Sequence, residues 1–224
     1  MLFFLAKNLI QLKESKKMAV RPAWKTTGTR IFSRDFSFEW NPGFAVSQKK
    51  KNVANLHNVI KDTSLEVSTK SDKELGRKLS AFNLKLDGYI LECVFQAAKV
   101  FEKGGPYTDL LYVSPKEAKQ DSRKETSGKL VGFMYNDFMW PLNPKTAFYD
   151  YIYIKAAMQT LTADEKDELL DYEYFTDIEF NPNRSINCQA RTVAILKTLI
   201  IANKNIDEMS FEEWIEFHKM HVIN

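Results

Sequence analysis

Between Leu91 and Phe101 the chain reads LECVFQAAKVF. At about 100° per residue, Leu91, Val94, Phe95, Ala98 and Phe101 fall on one arc and Cys93, Ala97 and Val100 on the other side. The pattern therefore predicts a helix over 91–101 that is apolar nearly all round, which belongs in a protein interior. Glu92, Gln96 and Lys99, at i, i+4 and i+7, form one narrow polar stripe along it. A carboxylate, an amide and an amine facing the interior need partners or a use.

Elsewhere, alternation predicts strands. Phe36, Phe38 and Trp40 alternate with Ser37 and Glu39 before the turn Asn41-Pro42-Gly43. LEVST (65–69), Leu130–Tyr135 and FTDIEF (175–180) read the same way, the last with Asp177 and Glu179 opposite Ile178. Helices are expected at Ser47–Ile60, after Asn143-Pro144 with Phe148, Ile152 and Ala156 on one face, and at Ser185–Ile201. Three further helices are marked by start signals. Ser114-Pro115-Lys116-Glu117 combines a capping box with proline at the first helical position, and Thr162–Glu165 and Ser210–Glu213 repeat the box. Lys119 and Arg123 would lie one turn apart on the first of these, as a compact cationic face. Asp87-Gly88 turns the chain into the central helix, and Gly104-Gly105-Pro106 ends it. Without repeats or low-complexity linkers, the order of elements predicts one helix-rich α+β domain with several short strands.

The 224 residues suit one domain, and 44% hydrophobic content can fill its core. A net charge of +3 permits nucleic-acid contact without arguing for it. The placement of charge says more: Lys49–Lys51 form a run, and acids gather over 164–179. Two cysteines, Cys93 and Cys188, make neither a disulfide framework nor a metal cluster, which points to reduced thiols and a cytoplasmic setting. Met1–Ile10 is apolar but shorter than the roughly 20 residues a membrane span needs. Met18 opens a second plausible start, so residues 1–20 are set apart as an N-terminal extension and 21–224 as the domain.

A buried carboxyl retains its proton for a leaving group, and a desolvated lysine becomes a nucleophile for an aldehyde-like carbon, so the stripe suits glycosidic or imine chemistry. Spacing alone equally describes an ordinary ion pair that helps the helix pack, and favours it. Lys119 with Arg123 would hold a phosphate or simply be solvated. Trp140 would stack on a base or fill the core. Lys49–Lys51 would touch a nucleic-acid backbone or sit in water. His218 and His221 lack a third metal ligand. The absence of Walker, GxGxxG and GxSxG motifs argues against kinase, dinucleotide-dehydrogenase and serine-hydrolase chemistry.

Read together, Leu79-Ser80-Ala81-Phe82-Asn83, Asp87-Gly88 and the Glu92…Gln96…Lys99 helix resemble the NADAR family. The block Ser114–Lys119 through Arg123, Trp140, and Lys145–Phe148 are similar to its following motifs. GGPYTDL (104–110), WPLNPKTAFYD (140–150) and FTDIEFNPNRSINCQAR (175–191) resemble one branch, the antitoxins paired with DarT-type toxins that ADP-ribosylate guanine. The likeness runs over residues 21–199. Ala81 stands where many members have asparagine, Asp121-Ser122-Arg123 where L-G-R is usual, and Asp177–Phe180 where the family has W-G-I-G.

The resemblance implies a glycohydrolase that frees ADP-ribose from the guanine amino group in DNA, without metal or cofactor. It implies Glu92 as general acid and then water activator, and Asp177 as stabiliser of an oxocarbenium-like state. Lys99 would stabilise charge or form a Schiff base with ring-opened ribose. Ser80, Asn83 and Gln96 would orient ribose hydroxyls, Lys119 and Arg123 hold phosphates, Trp140 stack on a base, and Phe82 and Lys145 contact substrate. The partners implied are ADP-ribosylated DNA, ADP-ribose as product, and the cognate toxin, with no membrane. Two rival readings stand beside this one. A non-catalytic antitoxin would bind the toxin through 164–179 and the last helix. An N-glycosidase would act on a small ribosylated metabolite.

Overall fold

A computed structural model describes residues 16–222. Met1–Ile10 lies outside the described residues. Met18–Val20, placed by the sequence boundary in the extension, instead open a strand. This strand, β1 (Met18–Thr26), pairs with β2 (Ile31–Glu39) in an antiparallel hairpin running from Met18↔Glu39 to Thr26↔Ile31. The alternation of β2 was legible; β1 contains Pro22 and has no clean alternation. Helix α1 (Val46–Ile60) lies on the hairpin and buries Asn52, Val53, Leu56 and Ile60. Next come β3 (Ser64–Glu66), α2 (Glu74–Lys78) and the small hairpin β4 (Lys85–Leu86) and β5 (Tyr89–Ile90). The central helix α3 (Leu91–Ala97) leads straight into β6 (Lys99–Phe101).

The expected helix over 91–101 is therefore shorter, and Lys99 stands on a strand rather than on the helical stripe. Sheet pairing wins from this point: Lys99 pairs with Phe133 and Val100 with Gly132, and the Ala98 carbonyl accepts from Met134 N at 2.7 Å. Gly105 then folds back onto Lys99. A Cβ there would lie 2.3 Å from the Lys99 carbonyl oxygen, and φ is +85°, in the left-handed region, so only glycine closes this turn.

Helices α4 (Pro115–Gln120) and α5 (Arg123–Thr126) follow, then the antiparallel strands β7 (Leu130–Tyr135) and β8 (Phe138–Trp140). Asn136 and Asp137 both have positive φ, as a two-residue type I′ hairpin requires. Helix α6 (Ala147–Thr160) starts later than Asn143-Pro144 suggested. It is followed by α7 (Ala163–Leu170), β9 (Tyr174–Thr176), α8 (Gln189–Ile201) and α9 (Phe211–His221). The capping boxes at Ser114, Thr162 and Ser210 are all formed with both reciprocal bonds, each cap worth about 0.5–2 kcal/mol.

The larger sheet has the order β2-β1-β9-β3, with β9 parallel to β3 and antiparallel to β1. The smaller runs β6-β7-β8. This is the expected α+β class. The main core gathers Phe95, Trp140, Phe148, Tyr153, Ile195 and Trp214, so α3, α6 and α8 are held on several sides. Among the described residues no helix is long and apolar enough to cross a membrane.

Candidate active site

The cavity beside α3 is lined by Glu92, Phe95 and Gln96 of that helix, Ala81 and Phe82 before it, Lys119 of α4, Tyr149 of α6, and Asp177, Phe180 and Gln189 after β9. Its volume is about 190 Å³, below the roughly 300–1,000 Å³ of pockets that enclose a drug-sized ligand. It suits a small ligand, or one part of a larger one.

Every residue of α3 is buried, so its polar side chains must satisfy one another. Gln96 Nε2 donates to Glu92 Oε1 at 2.9 Å, and Gln96 Oε1 accepts from Lys99 Nζ at 2.8 Å and Lys124 Nζ at 3.3 Å. Among the described residues nothing bonds Glu92 Oε2, which leaves that oxygen for a ligand in the cavity. Although Lys99 has left the helix, its amine still reaches Gln96 and lies 4.8 Å from the Phe95 ring centroid. Burial, with the nearby Lys124 charge second, pulls the Lys99 pKa down to about 8.

Asp177 is tied to this helix through one bridge. Gln189 Nε2 donates to Asp177 Oδ2 at 3.1 Å, Gln189 Oε1 accepts from Ala81 N at 2.7 Å, and the Ala81 carbonyl accepts from Glu92 N at 3.1 Å. Asp177 Oδ1 takes Glu179 N at 3.0 Å and Phe180 N at 3.2 Å. Burial pushes the Asp177 pKa up to about 6, against the hydrogen bond from Gln189.

Behind it stands a second buried carboxyl, Glu66, pushed up to about 8 by burial and then by Asp177. Glu66 accepts from Ser68 Oγ at 2.6 Å, Ile178 N at 2.9 Å and Thr176 Oγ1 at 2.7 Å. Both carboxyls hold a proton more tightly than their ordinary values of 3.8 and 4.5. Their protonation stabilises the fold at low pH, and that stability is lost as pH rises from about 4 to about 8. The thermal midpoint of the wild type should thus fall more between about pH 5 and about pH 8 than that of Glu66→Gln. Parallel pH profiles in thermal melts would contradict this.

Of the residues singled out in the sequence, Glu92, Gln96, Phe82, Lys119 and Asp177 line the cavity, and Lys99 adjoins it through Gln96. Five others are elsewhere. Ser80 is a buried turn residue whose carbonyl accepts from Asn83 N and Leu84 N, both at 2.8 Å. Asn83 Nδ2 donates to the Arg77 carbonyl at 2.8 Å. Trp140 is buried among Phe138, Phe148, Tyr151 and Phe211, so it fills the core. Lys145 is exposed in the loop before α6.

Arg123 is not on the α4 helix with Lys119. The helix stops at Asp121, whose Oδ1 accepts from Arg123 N at 2.9 Å. The guanidinium is paired with Asp109 (2.7 Å) and Asp121 (2.9 Å), outside the cavity lining. Its neighbour Lys124 turns inward instead, onto Gln96 and the Ala118 and Lys119 carbonyls.

Lys124, Tyr149, Gln189 and Glu66 were not legible as site residues. No spacing links Gln189 to Ala81, 108 residues away. Among the described residues no group of three or more His, Cys, Asp or Glu is placed to hold a metal ion. His218 contacts Asp150, and His221 Nδ1 bonds the Phe217 carbonyl.

Two comparisons bear on this geometry. A family model described as "DarT1-associated NADAR antitoxin" matches residues 19–224. No curated protein matches the chain.

Proposed function

We propose, from the premise that the chain belongs to the DarT1-associated NADAR antitoxin family, that it hydrolyses the N-glycosidic bond between ADP-ribose and the guanine amino group in DNA, undoing the mark of the paired toxin. The observation that carries this reading is the Glu92–Gln96–Lys99 cluster beside a cavity whose walls also hold Asp177 and Lys119. An exocyclic guanine nitrogen leaves poorly unless protonated. Glu92 delivers that proton through Oε2 as the bond to the anomeric carbon breaks, then takes a proton from the attacking water. Asp177 stabilises the positive charge that develops on the ribose ring. Lys119, on the cavity wall, holds the diphosphate. Both cysteines are free and buried, which fits the cytoplasm.

Lys99 acts by charge and by orienting Gln96. Its amine is engaged with Gln96 and is absent from the cavity wall, which supports the electrostatic role over the Schiff base. Borohydride added during turnover should therefore leave no ADP-ribose adduct on Lys99, while Lys99→Ala lowers the rate. An adduct mapped to Lys99 by mass spectrometry would assign the covalent route instead.

The reading is tested in cells that express the toxin. Wild type should protect and Glu92→Gln should not. Equal protection by both would mean that the protein acts by binding the toxin.

A further inference from the structure

Phe44 is 99% exposed, yet it does not sit on a loose loop. Buried Asn52 accepts from Asn41 N at 2.6 Å and donates to the Asn41 carbonyl at 2.9 Å, and Gln48 Oε1 accepts from Ala45 N at 3.2 Å. Both ends of the turn are thus fixed to α1, and the backbone between them presents the phenyl ring to water. Four residues before it, Trp40 has the Arg21 guanidinium 5.2 Å and the Lys49 amine 5.6 Å from its ring centroid.

The charge of this stretch of the chain is one-sided. Residues 40–60 contain Lys49, Lys50 and Lys51 and no acid. Lysines in the first turns of α1 oppose its dipole, so they do not serve the helix itself. Glu179 lies 3.6 Å from the largely covered Lys49, Asp72 lies 2.6 Å from Lys50 in an exposed pair that phosphate can replace, and Lys51 has no ion-pair partner among the described residues. Glu179 also lines the cavity, and Arg21 is close enough to Asp177 to feel its charge. The basic, aromatic surface therefore begins at the cavity rim.

We infer that Phe44 is a stacking platform for an unpaired base of the nucleic-acid strand that carries the modified guanine, with Lys49, Lys50 and Lys51 along its phosphates. This rests on the reading of the cavity proposed above. Aromatic rings interleaved with cations bind single strands because every base has a π-face and every linkage a negative charge. A protein partner is disfavoured here, since lysine is depleted in the core of protein interfaces.

The test uses a fluorescently labelled, unmodified single-stranded DNA oligonucleotide and anisotropy titrations. Phe44→Ala should weaken binding roughly fivefold to a hundredfold, the loss of one base stack. Phe44→Trp should restore it and Phe44→Leu should not. Lys51→Gln should reduce the slope of log K against log salt by about 0.7. The inference is overturned if wild type does not bind the strand, if Phe44→Ala binds it as well as wild type, or if leucine substitutes for phenylalanine, which would indicate an apolar protein contact. Hydrolysis of ADP-ribosyl-guanosine, which has no flanking strand, reports the cavity separately. Its absence in wild type would sink the glycohydrolase reading and leave the strand-binding result to decide this one.

Discussion

Glu92→Gln is expected to lower kcat/KM for release of ADP-ribose from guanine by at least about a hundredfold, the usual contribution of a general acid–base group. The substitution is close to isosteric on a helix that is buried throughout. The new amide oxygen can still accept from Gln96 Nε2, and the backbone bond from residue 92 to the Ala81 carbonyl is untouched. The thermal midpoint should therefore stay close to that of wild type. What the variant lacks is a proton to give to the leaving nitrogen and a base to take one from water. A rate loss below about tenfold would remove Glu92 from the proton transfers, because a positioned acid contributes more than that.

Asp150→Ala should instead destabilise the fold by about 3–5 kcal/mol, as expected when one partner of a buried ion pair is removed. Asp150 is fully buried and joins three helices: it accepts from Arg191 Nη2 at 3.1 Å, and from Thr192 of the same helix, meets His218 Nε2 at 2.9 Å, and takes Thr146 Oγ1 at 2.8 Å. Burial alone would raise its pKa, but Arg191 and His218 hold it down to about 2. Its contribution is present above the ordinary value of 3.8 and is lost as pH falls toward 2. Without Asp150, the Arg191 guanidinium keeps its burial and loses its counter-charge. Urea denaturation measures the effect, with Lys50→Ala as a control. That residue belongs to an exposed pair with Asp72, and its loss should cost less than about 1 kcal/mol. Equal shifts in the two variants would contradict the role given to Asp150.

How far the sequence could be read depended on the range of the interactions. Local signals held: the capping boxes at Ser114, Thr162 and Ser210, the alternation of β2, and the i, i+4 relation that brings Glu92 and Gln96 together on α3. The wheel that extended the helix to Lys99 failed because pairing with β7, a strand more than thirty residues on in the chain at Phe133, takes over from Ala98. The supposed cationic face of Lys119 and Arg123 assumed an unbroken helix. Asp121 ends it, binds Arg123, and leaves Lys124 to face Gln96. Trp140 could be read as core or as a stacking platform from sequence, and its aromatic neighbours place it in the core. The Asp177–Gln189–Ala81 bridge had no local signature, because each contact joins segments that only the finished fold brings together.

The most direct measurement is release of ADP-ribose from an oligonucleotide that carries it on a single guanine, followed by mass spectrometry of both products. Wild type should yield free ADP-ribose and an oligonucleotide with its guanine restored, and Glu92→Gln should yield neither at a comparable rate. An unchanged modified oligonucleotide after incubation with wild type that still binds the toxin would contradict the glycohydrolase and leave a protein that neutralises its partner by contact.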